Sequence, residues 1–134
     1  MINNYVISLP YIFKLSKKGR KKYFLSMNNY NKWHYQTKSK IKKLFTELAV
    51  EKLQDIPTAA NVIELTYTVY RGDAHSYDLM NVVSVFDKFF EDSLTTAKII
   101  TDDNYKVVRK ITAIPGGIDR ENPRVEVRIR EISF

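Results

Sequence analysis

Residues 61–94 constrain the fold most, because a run of extended-chain residue types gives way, across Arg71-Gly72-Asp73, to a segment with two separated helical faces. In residues 61–70, Val62, Ile63, Leu65, Tyr67 and Val69, with Thr66 and Thr68, are types that pack well on a pleated surface, so a strand is predicted there. Advancing about 100° per residue from Asp78 places Leu79, Val82, Val83, Phe86, Phe89, Phe90 and Leu94 between about 20° and 160°. Asn81, Ser84, Asp87, Lys88, Glu91 and Asp92 fall between about 180° and 320°. A helix over residues 78–94 follows, with Asp87 and Glu91 expected on its solvated side. A strand and a helix that each have an apolar side must cover one another. The expected class is therefore α/β (α+β), a small mixed sheet with two main helices.

The remaining elements fit around that pair. Residues 4–9, with Tyr5, Ile7 and Leu9 on one face, read as a first strand ended by Pro10. A Lys-rich loop around Gly19 leads to a short strand at Tyr23-Phe24-Leu25. Ser26 or Asn28 then caps a long helix reaching roughly to Leu53 through Trp33, Ile41, Leu44, Phe45 and Leu48, and Pro57 closes it. A strand over residues 105–114, a turn at Pro115-Gly116-Gly117 and an alternating strand through Val125, Val127, Ile129 and Ile132 complete the chain. There is no internal repeat and no linker, and 134 residues suit one domain spanning 1–134.

Composition narrows the function. The chain has no cysteine, which excludes a disulfide framework and a thiolate metal site. No signal-peptide pattern opens the sequence and no apolar run approaches about 18 residues, so a cytoplasmic protein that neither is secreted nor spans a membrane is expected. The net charge of +7 is distributed unevenly. Up to Thr46 there is no acidic residue, while eleven basic ones occur, including Lys17, Lys18, Arg20, Lys21, Lys22 and Lys38; the rest of the chain carries eleven basic against fifteen acidic residues. A first third at +11 joined to a remainder at −4 points to a polyanionic partner, nucleic acid above all, and those six residues are the candidate DNA contacts. An RNA- or duplex-binding module is the less favoured form of this reading, since neither an RRM-like aromatic signature nor zinc-finger spacing is present.

The residues with chemical potential are Asp78, Asn81, Lys88, Asp92, Asp102 and Asp103: acids after a strand, along one helix face and in a later turn. Phosphodiester hydrolysis uses a divalent ion held by oxygen ligands, and Mg²⁺ commonly takes one or two carboxylates plus water and phosphate oxygens. Each residue also has an ordinary explanation. Asp78 is a good helix N-cap, Asp102-Asp103-Asn104 is turn chemistry, and Lys88 lies four residues from both Ser84 and Asp92 on a helix. The two histidines, 41 positions apart, have no ligand spacing.

The order Tyr77-Asp78-Leu79-Met80-Asn81, Lys88, Asp92-Ser93-Leu94 and Thr101-Asp102-Asp103-Asn104 resembles the D-L-D-N, K, D-A-L and D-D-x-Q signature of the RusA family. Leu9-Pro10 and the closing strand are similar to that family's two ends. The resemblance implies a dimeric nuclease that nicks Holliday junctions and related branched DNA symmetrically, using three aspartates, a lysine and Mg²⁺, with Mn²⁺ as a substitute. It maps the catalytic residues onto Asp78, Lys88 and Asp103, with Asp78 and Asp103 as metal ligands, and the neighbouring Asp102 is expected to join them. Met80 stands where the family has its second aspartate, and a thioether is a poor Mg²⁺ ligand. Either water or another acid, Asp73, Glu91 or Asp102, completes the site, or the chain binds branched DNA of the same kind without cutting it. The interval from Asp78 to Lys88 is longer than in short family members by about one helical turn.

Overall fold

The computed structural model describes residues 3–59, 62–74, 77–101 and 106–132. Strand β4 (Val62–Arg71) forms as expected, with Ile63, Leu65, Tyr67 and Val69 turned into the core and the intervening residues turned out. It leads to helix α3 (Leu79–Thr96), and the chain returns in β5 (Val108–Ile118), which pairs parallel to β4. The first strand β1 (Asn3–Leu9) and the last, β6 (Arg124–Ile132), pair antiparallel, and β6 also runs antiparallel to β4. The resulting mixed four-stranded sheet has the order β1-β6-β4-β5. A second, two-stranded sheet joins β2 (Ile12–Phe13) to β3 (Tyr23–Phe24), and the Lys-rich loop spans the interval between them.

The single long helix expected before Leu53 is two helices, which makes three among the described residues. Ser26 caps α1 (Met27–Lys32), its side chain accepting from the Asn29 N–H at 3.2 Å. The backbone turns extended at Trp33 and His34, and His34 Nδ1 then accepts from the Gln36 N–H to open α2 (Tyr35–Leu53). Trp33 packs edge-on against Tyr23 and Tyr30, at 5.6 and 6.3 Å between ring centres. The break gives α1 its own direction. Tyr30 of α1 meets Phe89 of α3 edge-on at 5.9 Å, while α2 buries Ile41, Phe45, Ala49 and Leu53, one residue per turn.

Phe45 is the centre of the helix-to-helix contact, with Phe86 at 5.1 Å and Phe89 at 5.6 Å, both edge-on as the ring quadrupoles favour. Tyr67 continues this cluster into the sheet, meeting Phe86 and Phe90 at 5.6 and 6.1 Å. The turn expected at Pro115-Gly116-Gly117 lies inside β5 instead. β5 is an edge strand, where a proline forfeits no ladder bond. The pairing skips a residue there, from Val69 with Pro115 to Tyr70 with Gly117. Gly116 fits this bulge because a Cβ would stand 2.7 Å from Thr68 Cγ2 and 2.9 Å from the Tyr70 ring. Among the described residues no helix is long and apolar enough to cross a membrane.

Candidate functional site: a cleft at the amino end of α3

Where β4 ends and α3 begins, the chain borders a cleft of about 400 Å³. Asp78 is the N-cap of α3: its backbone is extended and its Oδ1 accepts from the Met80 N–H at 3.0 Å. The carboxylate is exposed and lines the cleft, so capping and a functional role are compatible. Asp73, just beyond β4, lines the same cleft. Asn81, one turn into α3, accepts from the Asn28 N–H at 3.2 Å and ties α1 to this rim.

Three cations join the two carboxylates. Lys22 comes from the Lys-rich loop, Arg71 from the end of β4, and Arg120 from the connection between β5 and β6. That connection is held locally. The Asp119 N–H donates to the Arg71 carbonyl at 2.7 Å, and Arg124 binds the Asp119 carboxylate at 2.8 Å, which brings Arg120 and Pro123 to the cleft wall. Tyr11, Phe24 and Tyr77 supply aromatic surface. The Tyr77 phenol is raised above its usual pKa, mainly by burial and with Arg71 opposing, and the Arg71 guanidinium sits 5.0 Å from the Tyr77 ring centre. Burial first, then the neighbouring Tyr77 and Asp73, also raises Tyr11.

Of the two described acids that the sequence offered in place of Met80, Asp73 and Glu91, Asp73 shares this cleft with Asp78. Glu91 does not. It is buried, at 8% exposure, and lies with Asp87 near Tyr67, whose hydroxyl donates to Asp87 Oδ1 at 2.5 Å. The placing of Asp87 and Glu91 on a solvated helix side is thus corrected: Tyr67 reaches that side from β4, Asp87 is half-buried and Glu91 is buried. Met80 is half exposed, in the first turn beside Asp78. Asp102 and Asp103 lie outside the described residues.

Lys88 does not reach the cleft. Ten residues of helix carry it about 15 Å along the axis from Asp78, and its ammonium lies 3.4 Å from the Tyr30 hydroxyl. Lys38 approaches the same Tyr30 ring from α2, at 4.6 Å from its centre. Four residues further along α3, Asp92 pairs with Lys42 at 2.8 Å rather than with Lys88. Lys17, Lys18, Arg20, Lys21 and Lys22 are all exposed in the loop between β2 and β3. Among the described residues, no group of three His, Cys, Asp or Glu gathers as a metal cluster. Arg120, Tyr11 and Phe24 carried no signal in the sequence, because their meeting depends on how the connections cross the end of the sheet. The chain matches no protein-family model and has no significant match among curated proteins.

Proposed function

We propose that this chain is a Mg²⁺-dependent endodeoxyribonuclease that nicks four-way and related branched DNA as a RusA-like homodimer, with the scissile phosphate at the amino end of α3. The observation that supports this reading is the joint lining of one cleft by Asp73 and Asp78 together with Lys22, Arg71 and Arg120, beside a loop of exposed basic residues. Two carboxylates suffice as the protein's share of a Mg²⁺ site, so Asp73 answers the absence of an aspartate at Met80. When bound, the ion would activate water and offset charge on the phosphate. The cap bond from Met80 N–H fixes one oxygen of Asp78, while the three cations draw in and orient the phosphodiester. Lys17, Lys18, Arg20, Lys21, Lys38 and Lys88 extend the positive surface for backbone phosphates, which give affinity without sequence choice. Asp102 and Asp103 enter the proposal as further metal ligands. Two protomers across a branch point would nick symmetrically.

The test is cleavage of a four-way junction by wild type, Asp73→Asn, Asp78→Asn, Asp103→Asn and Met80→Asp, in Mg²⁺ and in Mn²⁺. Each asparagine change is expected to abolish cleavage, and Mn²⁺, with its less demanding ligand set, to exceed Mg²⁺ in the wild type. Activity that survives all three asparagine changes would place the chemistry elsewhere. One observation favours a second reading, a branched-DNA-binding protein without activity: Met80, half exposed beside Asp78, puts a thioether where a ligand would stand. An inert wild type rescued by Met80→Asp would establish it.

A further inference from the structure

We infer that the cleft at the amino end of α3 receives one unpaired nucleotide of the DNA, its base against the aromatic wall and its phosphate on the rim cations. This rests on the nuclease reading and adds to it the part of the substrate that the cleft grips. A cleft serving only backbone phosphates would need cations and N–H donors. This one also has an apolar floor, with Leu25 and Val69 fully buried and Val82 nearly so. Tyr11 and Tyr77 stand on its wall, and Phe24 is 43% exposed at its edge. Bases of any identity stack on such rings. About 400 Å³ lies near the lower end of the range for small-ligand clefts, enough for one nucleotide and too little for a stacked base pair.

The polar groups point to the same occupant. The Tyr77 hydroxyl is buried without a hydrogen-bond partner among the described residues, an arrangement rare for a buried polar group, so the residue offers the cleft its ring and not its oxygen. Arg71 over the Tyr77 ring keeps that ring in place. On the opposite side, Asn81 uses its Oδ1 for Asn28, and its amide N–H₂ takes no part in that bond. Lys22, Arg71 and Arg120 outnumber Asp73 and Asp78 around the opening, which suits a phosphate entering with the base. A base within a duplex cannot enter; one unstacked at a branch point can, and it enters at lower cost where pairing is already lost.

The test measures binding apart from cleavage. Deoxyadenosine and thymidine 5′-monophosphates are titrated against 2-deoxyribose 5-phosphate on wild type, Phe24→Ala and Tyr77→Phe, followed by NMR. In parallel, a four-way junction carrying 2-aminopurine at the branch is followed by fluorescence. The base-containing phosphates are expected to bind about fivefold to a hundredfold tighter than the sugar phosphate, the range one stacked base carries. Phe24→Ala should remove most of that difference and Tyr77→Phe, which keeps the ring, little of it, and the 2-aminopurine signal should change on binding only while Phe24 is present. Equal affinity with and without a base overturns the inference, even if the junction is cleaved. Mononucleotide binding without a Phe24-dependent junction signal also overturns it, since the occupant is then a free nucleotide. Discrimination and junction signal together, in a protein that cuts under no metal condition, sustain the cleft and refute the nuclease reading.

Discussion

Tyr67→Phe removes one oxygen from the middle of the molecule and tests how the sheet is fastened to α3. The Tyr67 ring is fully buried against Phe86 and Phe90, and phenylalanine keeps both contacts. What disappears is the O–H that donates to Asp87 Oδ1 at 2.5 Å, a bond to a charged acceptor of the kind worth about 1.5 to 3 kcal/mol. Asp87 is only half-buried and regains some water, so the loss should fall at the lower end, about 1.5 kcal/mol. The same hydroxyl adds a pH dependence. Burial above all, then the charge of Asp87, its hydrogen bond and Glu91, hold the Tyr67 pKa well above 10. Below about pH 10, folded and unfolded chains both keep the proton and the contribution is constant. Above that, the unfolded chain releases a proton the folded chain retains, and stability falls by up to about 1.4 kcal/mol per pH unit from this group. Tyr11 and Tyr77, also raised, supply the rest of the alkaline limb. Urea unfolding from pH 7 to 11.5 should show Tyr67→Phe less stable at pH 7 and with a shallower alkaline decline than the wild type. A variant within about 0.5 kcal/mol of the wild type at pH 7, with an unchanged decline, would refute the assigned bond.

Two further outcomes are expected. Asp78→Ala should lower stability by about 1 kcal/mol through loss of the cap to Met80, whereas Asp78→Asn, which keeps an accepting oxygen, should melt within about 0.5 kcal/mol of wild type; equal losses would mean that the charge at the helix end matters and the cap does not. Affinity for a four-way junction should fall steeply with salt, with a log–log slope near about −5 if Lys17, Lys18, Arg20, Lys21, Lys22 and Lys38 each meet a phosphate, and a nearly flat titration would remove the phosphate-binding surface.

Local pattern alone determined the elements whose two sides differ. The alternation through Ile63, Leu65, Tyr67 and Val69 and the apolar stripe of Val82, Phe86, Phe89 and Phe90 set a strand and a helix that had to face each other, and Asp78 read as the cap it is. The tertiary structure decided what the polar side of each element meets. Helical periodicity runs through Trp33 and His34, and only the packing of Trp33 between Tyr23 and Tyr30 shows the chain turning there. Pro115-Gly116-Gly117 has turn composition, yet an edge strand tolerates the proline, and the crowding of Thr68 and Tyr70 over Gly116 makes it a bulge. Glu91 and Asp87 sit at polar angles of α3, but a wheel drawn around one helix contains no information on the tyrosine reaching it from β4. For the same reason Lys88, aligned in sequence order with Asp78, stands about 15 Å along the axis from it and meets Tyr30. Asp73, Lys22, Arg71 and Arg120, scattered over about a hundred positions, converge on one cleft. Spacing along a chain measures contour length, and a site is made where separate elements end on the same side of a sheet.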